Sequence, residues 1–289
     1  MKLALQKGCH MNMKIGRVVT VLSCVSLVGA SHFSCARKGP VKVDSSHQLV
    51  MGTFARVVVV AESQDIGKEC VQAALAEIHK VDGLMSDYKS DSEISRANKE
   101  AFEHAVPVSE STYEVLRRSI EFSKLTDGAF DITVGPLMVL FHDAEREDAP
   151  PTAEQIAEAR SKVGFEKLKL DNENRTVQFA VEAMRLDLGG IAKGYAIDKA
   201  IEAAQRGGAL GGMVDIGGDI RCFGSPPEGR EQWLIAVQDP NAIMAGTTGG
   251  GLLMKLKITD AAVATSGDYQ QFVMIEGTRH SHIMNRKTG

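Results

Sequence analysis

The chain has 289 residues, with 33 lysines and arginines against 37 aspartates and glutamates, a formal net charge of -4, and 44% hydrophobic residues. At roughly 100–200 residues per domain, this allows one large domain or two small ones with ample material for a core, and it excludes disorder as the default state. A mildly acidic chain without a block of like charges is no phosphate-neutralising nucleic-acid binder, so small molecules or proteins are the expected partners and nucleic acid is not. Glycine is frequent at 28 residues while aromatics make up only 5%, a balance that favours close backbone approach over ring stacking.

Residues 18–30 form an apolar run behind Lys14 and Arg17, broken only by Thr20, Ser23, Cys24, Ser26 and Gly29. A basic region followed by a short apolar one reads as a secretory signal, here assigned to residues 1–35. The run falls short of the roughly 20 residues of a membrane span and is followed at once by His32, Ser34 and Arg37. Met11 and Met13 are alternative starts, with residues 1–10 then a spurious extension. Cys9, Cys24 and Cys35 lie in this segment, leaving Cys70 and Cys222 for the body, too few for a disulfide framework and without metal-ligand spacing. A cysteine closing the apolar run suggests a lipid-anchored protein. Cys35 is the candidate, although His32 stands where an aliphatic residue is usual; Cys24 fits the local pattern better but leaves a shorter apolar run. Plain secretion with incidental cysteines is the alternative. Residues 36–47 then read as a linker and residues 48–289 as the folded domain.

In that domain, β-rich runs alternate with amphipathic helices, with no internal repeat, which predicts a single α+β unit. Residues 56–61, apolar and mostly β-branched after Arg56, read as a buried strand, while Ile66, Cys70, Ala74, Ile78, Val81 and Met85 recur at helical spacing. Ser111 with Glu114 and Thr152 with Gln155 fit capping boxes, and Gly128 fits a helix stop. The acidic stretch 143–151 reads as an exposed loop. Residues 168–170 and 176–179 flank Asp171-Asn172-Glu173-Asn174, a hairpin signal. A helix over 191–205 and strands at 213–216, 233–237, 252–258 and 261–265 complete the reading.

Four segments carry candidate chemistry. In Asp187-Leu188-Gly189-Gly190-Ile191-Ala192-Lys193 a strand ends, paired glycines allow close approach, and a helix opens with a lysine in its first turn, an arrangement suited to an anion. It has neither P-loop nor dinucleotide-fingerprint spacing. An ordinary glycine-rich turn, with Asp187 capping a helix, is the competing reading. Asp215-Ile216-Gly217-Gly218-Asp219 implies a bulge or an approach to ligand, or else a tight turn with solvated aspartates. In Gly128-Ala129-Phe130-Asp131 a helix stop runs into an extended segment, with Phe130 by default in the core. His280 and His282 fit one face of a strand; one of them suits a base near neutral pH, and exposed edge-strand histidines are the commoner case.

Together with Met51-Gly52-Thr53, Met85-Ser86-Asp87-Tyr88, Ser92 to Asn98 and Ala262 to Tyr269, these segments resemble, in order, the motifs of the ApbE family, the FAD:protein FMN transferases. The resemblance spans residues 48–289. It implies a single T-fold-type domain of mixed sheets and packed helices. It also implies FAD as substrate, magnesium as cofactor and a flavin-accepting protein as partner, with a lipid-anchored location on the periplasmic side of the bacterial inner membrane. Carried over by residue, FAD contacts fall on Met51, Tyr88, Ala129, Phe130, Asp131, Asp187, Lys193 and Met284. A magnesium-ligating carbonyl falls on Gly190, and the base on His282. The implied reaction moves FMN from FAD to a threonine hydroxyl and releases AMP.

Two departures accompany the resemblance. Asn285-Arg286 replaces the family's Asp-Pro. Family chains also continue past Thr288-Gly289 through a segment bearing an aspartate and a threonine that ligate magnesium, so the domain is expected to be incomplete at its C-terminus. Hydrolysis of FAD to FMN and AMP, and flavin binding without chemistry, stand as alternatives; a degraded gene whose chain does not fold is a further one.

Overall fold

Strand β3 (Thr53–Ala61) is the axis of the main sheet. Its Ala55, Val57, Val59 and Ala61 enter the main core, while Val58 points into a second cluster on the opposite face. A strand covered on both faces needs no polar alternation, which is why its sequence from Val57 to Ala61 is a continuous apolar run. This is a computed structural model that describes residues 39–239, 241, 251–267 and 272–289. The expected signal segment, Cys35, and Asp268-Tyr269 lie outside the described residues.

β3 is flanked by β1 (Val41–Asp44) and β2 (Gln48–Val50) on one side and by β7 (Gly211–Ile216) on the other. The sheet continues through β8 (Asp219–Gly224) to β11 (Ala262–Val263), all pairs antiparallel. Residues 41–44, expected within a linker, therefore belong to the sheet. Arg56 on β3 forms an ion pair with Asp44 on β1 across that edge.

Helices α1 (Gln64–Met85) and α6 (Ala192–Arg206) pack on one another and on this sheet. α1 opens at Ser63, whose hydroxyl accepts the Ile66 N–H at 3.3 Å, and buries Cys70, Val71, Ala74, Ile78, Val81 and Met85. That stripe matches the expected helical face. Val71, Ile78, Val81 and Met85, when fully buried, contribute about 1.5–3 kcal/mol each. On the other face, β9 (Trp233–Gln238) and β10 (Leu252–Ile258) form a separate ribbon over Val58 and Cys222. A third sheet joins β4 (Val106–Pro107), β6 (Thr176–Phe179) and β5 (Leu168–Asp171), the last two forming the expected hairpin.

The structure differs from sequence expectation in the middle of the chain. α3 (Glu110–Leu125) is capped by Ser109, not Ser111: the Ser109 hydroxyl accepts the Thr112 N–H, and Glu93 accepts the Ser109 N–H and hydroxyl. Glu114 instead receives the Tyr195 hydroxyl at 3.2 Å, tying α3 to α6. The stretch read as extended backbone and then loop contains α4 (Gly135–Glu147), opened by Pro136 in its first turn and closed by Asp148 in the left-handed region at φ 49°. Its Leu137, Phe141 and Ala144 face α5 (Ala153–Ser161) and the hairpin of β12 (Phe272–Ile275) and β13 (Thr278–Ser281). α5 carries the expected Thr152–Gln155 capping box. Short α2 (Glu93–Glu100) was not anticipated. Among the described residues no helix is long and apolar enough to cross a membrane.

Candidate flavin-binding site

The N-terminus of α6 is the centre on which the sequence motifs converge. Residues 184–188 form no regular structure and join no sheet, so no strand ends at Asp187. The backbone is held instead by single bonds from distant segments. Asn98 brackets Leu186, its Oδ1 accepting the Leu186 N–H at 2.7 Å and its Nδ2 donating to the Leu186 carbonyl at 3.0 Å. The Asp187 N–H donates to the Ile132 carbonyl at 2.8 Å. Asp187 Oδ1 then accepts the Gly189 N–H at 2.7 Å, turning the chain into the glycine pair. Asp187 thus caps this turn and not the helix, whose N-cap, Ile191, makes no side-chain cap bond. The Leu188 carbonyl accepts the Ile191 and Ala192 N–H groups at 2.9 and 2.8 Å; with no acidic residue in the first turn, the positive end of the helix beyond them suits an anion.

Lys193 stands in that first turn and pairs with Asp219 at 2.9 Å. Asp219 also accepts the Thr265 N–H at 3.3 Å, so the segment after β11 joins here. Asp219 follows the β7–β8 connection, where Ile216 faces Asp219 and only Gly217 and Gly218 turn the chain, at φ 64° and 89°. This is a two-residue hairpin, not a bulge. Its aspartates are not merely solvated: Asp215 accepts the Gly218 N–H at 2.9 Å and burial raises its carboxyl pKa, while Asp219 holds Lys193. The Gly217 N–H donates to the Phe54 carbonyl at 2.9 Å, which sets the Met51-Gly52 turn beside this hairpin. Met51 itself adopts φ 54° and packs on the main core.

On the other flank, Phe130 lies against Gly190, where an added Cβ would meet Phe130 Cε2 at 3.2 Å. Phe130 is half-buried, its ring edge-on to Phe122 at 6.4 Å. Ala129 is exposed beside it. Asp131 is different, with a side chain 0% exposed. Its Oδ1 accepts the Thr133 N–H and hydroxyl, and its Oδ2 accepts the Phe165 N–H and pairs with Arg286. Asp131 therefore presents no free oxygen and acts here as an internal tie.

Next to Asp187, a cleft of about 410 Å³ runs between the residues after α1 and one side of α4 along most of its length, lined by Asp87, Tyr88, Met138, His142, Arg185 and Asp187 among others. Tyr88 projects with 88% exposure. Arg185 reaches Asp87 at 3.5 Å. Burial pushes the Asp187 carboxyl above its ordinary value, against the Gly189 N–H and the charges of Arg185 and His142. Met284 lies apart from this cleft, packed between α4, α5 and β12. His282 follows β13 and is half-buried; His280, on β13, rests its ring on Phe141 at 5.8 Å.

The structure thus gathers Asp187, Gly190, Lys193, Ala129 and Phe130 around one helix end, sets Met51 on the neighbouring turn and Tyr88 in the adjoining cleft, and leaves Met284 in an apolar junction. Sequence reasoning did not single out Asn98, His142, Arg185 or Asp219. Asn98 and Asp219 lie inside quoted motifs, but their roles depend on partners far along the chain. Among the described residues, no group of three or more His, Cys, Asp or Glu is placed to hold a metal ion. Magnesium needs near-octahedral oxygen, so the Gly190 carbonyl does not fit it as a protein-held ion with these residues alone.

The profile of the ApbE family matches residues 51–289. The chain is 33% identical over 287 residues to the FAD:protein FMN transferase of Haemophilus influenzae, covering 95% of this chain and 78% of that protein. It is 33% identical over 242 residues to that of Vibrio cholerae, covering 83% and 70%. Among solved structures, the ApbE protein of Thermotoga maritima superposes with a TM-score of 0.74 at 32% identity, over 86% of this chain and 77% of that one. The flavin transferase ApbE of Vibrio cholerae gives 0.70 at 29% identity, over 86% and 77%. With the profile extending over most of its length and the fold in agreement, the chain belongs to the ApbE family.

Proposed function

We propose that the chain transfers the FMN moiety of FAD to a threonine hydroxyl of an acceptor protein and releases AMP. The observation that carries this reading is the N-terminus of α6, without a side-chain cap or an acidic residue in its first turn, with Gly189, Gly190 and Lys193 at its mouth and the Phe130 turn and the Asp187 cleft on its flanks. A pyrophosphate fits such a place: backbone N–H groups and the Lys193 ammonium meet its oxygens, and the glycines leave room for it. Met51, Tyr88, Ala129 and Phe130 supply contacts for the rest of FAD, with Met284 supporting the segment after β13. The names borne by the relatives support transfer over hydrolysis or binding alone.

In the proposed step the threonine oxygen attacks the phosphorus nearer the flavin, and the bond from that phosphorus to the bridging oxygen breaks. AMP leaves with the electron pair, and the threonine proton passes to the His282 imidazole. Charge building on the bridging oxygen is met by Lys193 and the helix end, groups already oriented before reaction. Magnesium, expected from the resemblance, has no protein cage among the described residues, so these steps use only groups of the chain. The same reading places the protein on the periplasmic side of the inner membrane with Cys35 acylated. Incorporation of labelled palmitate that survives Cys35→Ser would remove that assignment.

The transfer itself is tested by incubating the chain with FAD, magnesium and a flavin-accepting domain, then separating the products on a denaturing gel. A fluorescent acceptor band that depends on the acceptor threonine is expected. Bound FAD with no such band, or AMP release indifferent to acceptor, overturns the reading.

A further inference from the structure

Arg286 comes four residues after His282, yet its guanidinium reaches back into the Phe130 turn. It pairs with Asp131 Oδ2, lies 5.4 Å from the centre of the Phe165 ring, and stands 3.7 Å from Glu166. It also lies against Gly128, where an added Cβ would meet its Cζ at 2.6 Å, so the turn is shaped around it. Arg286 is only 22% exposed and its partner carboxylate is 0% exposed.

The other donors to Asp131 are local or nearby: the Thr133 N–H and hydroxyl at 2.9 and 2.7 Å, and the Phe165 N–H at 3.0 Å. The Thr133 hydroxyl in turn accepts the Gly164 N–H at 2.7 Å. These bonds fold residues 131–133 and 164–165 into one knot, and Arg286 is its only cationic member. Burying a carboxylate is costly unless it is paired and fully hydrogen-bonded. Without Arg286, Oδ2 of Asp131 keeps only the Phe165 N–H of these partners, so the tie between residues 131–133 and the segment after β13 is lost and the Asp131 turn is held by fewer bonds. Phe130, the adjacent residue, is the ring packed against Gly190.

We infer that Arg286 is a positioning residue: through its ion pair with buried Asp131 it fixes the Phe130 turn against the glycine pair of α6 and so sets the affinity for FAD. This rests on the flavin site proposed above. The inference goes beyond that reading, because Arg286 meets FAD only through Asp131 and Phe130.

The test uses the full chain with Arg286→Ala and Arg286→Lys, amide hydrogen exchange without ligand, and FAD binding followed by flavin fluorescence. In Arg286→Ala, exchange at residues 130–133 and 164–165 is expected to accelerate while β3 amides stay protected, and the Kd for FAD to rise about tenfold. Arg286→Lys keeps the charge and is expected to fall between that variant and the parent; should Arg286→Ala not fold, the lysine variant makes the same comparison with a smaller shift. A parent that binds FAD and an alanine variant with the same Kd overturn the inference and leave the proposed function standing. A parent that binds no FAD overturns the proposed function and the affinity half of the inference. Unchanged exchange at the knot overturns the positioning itself.

Discussion

At the level of single residues, the site holds two charges in opposite situations. Burial is the main force on the Asp187 carboxyl, with Asp87 pushing the same way, so folding favours its protonated form. A carboxyl raised in the folded state adds no penalty below its ordinary value of 3.8; the penalty grows as pH rises past that value and is complete above the folded pKa. Asp187→Asn keeps an oxygen for the Gly189 N–H and removes the ionised form. The variant is therefore expected to be more stable than the parent at neutral pH, with the gap closing as pH falls toward about 4, read from urea midpoints across that range. A variant less stable at neutral pH would mean that Arg185 and His142 outweigh burial. Lys193 is half-exposed and already paired with Asp219. Its loss should leave folding nearly unchanged, by about 0.5 kcal/mol, since such pairs contribute little to stability. Against a pyrophosphate the same ammonium makes charge-assisted bonds of about 1.5–3 kcal/mol, so Lys193→Ala should weaken FAD binding by roughly 10- to 100-fold in a fluorescence titration.

At the level of elements, the glycine hairpin between β7 and β8 supports the site from beneath. Gly217 combines φ 64° with a position where a Cβ would lie 2.9 Å from the Thr53 side chain, whereas Gly218 at φ 89° faces open space. Gly217→Ala is expected to cost about 1–2 kcal/mol for the left-handed backbone and more for the contact. Gly218→Ala should lose only the first part, a difference visible in denaturant midpoints. This hairpin also shows how far the chain could be read from sequence. Two glycines between aspartates were compatible with a bulge or a turn, and the register Ile216 to Asp219 decides for the turn. α1, α6 and the β5–β6 hairpin were legible because their apolar spacing or turn residues are strong and local. α4 was not, because its few core positions sit between a glycine-proline start and an acidic end, both of which also suit a loop. Least legible were the ties that assemble the site: Asn98 to Leu186 across 88 positions and Asp131 to Arg286 across 155. No local pattern carries such distances, so motif order located the site while side-chain bonds between remote segments explain its shape.

At the scale of the whole molecule, the two described thiols divide the structure into regions that should open separately. Cys70 lies in the main core, where an added Cβ at Gly207 would sit 2.8 Å from its sulfur. Cys222 lies on the opposite face of the sheet, in a small cluster with Val58, Trp233 and Ile235. Burial raises both thiols, that of Cys222 to about 12, so neither is a thiolate near neutral pH and modification requires local or global opening. The layer over Cys222 is a two-stranded ribbon that buries Trp233 and Ile235 but leaves Leu234, Leu252, Leu253 and Met254 about half exposed, so far fewer buried side chains hold it than hold the main core. Cys222 should therefore react with a thiol reagent sooner than Cys70, each followed by mass mapping of its own peptide to keep Cys9, Cys24 and Cys35 out of the reading. On the proposed reading, FAD held at α6 would touch elements of the main core, and at about a hundredfold excess over its Kd it should add roughly 2.7 kcal/mol to global stability. That excess should slow Cys70 labelling about a hundredfold while leaving Cys222 nearly unchanged. Equal slowing of both thiols would show instead that the ribbon opens only with the whole domain.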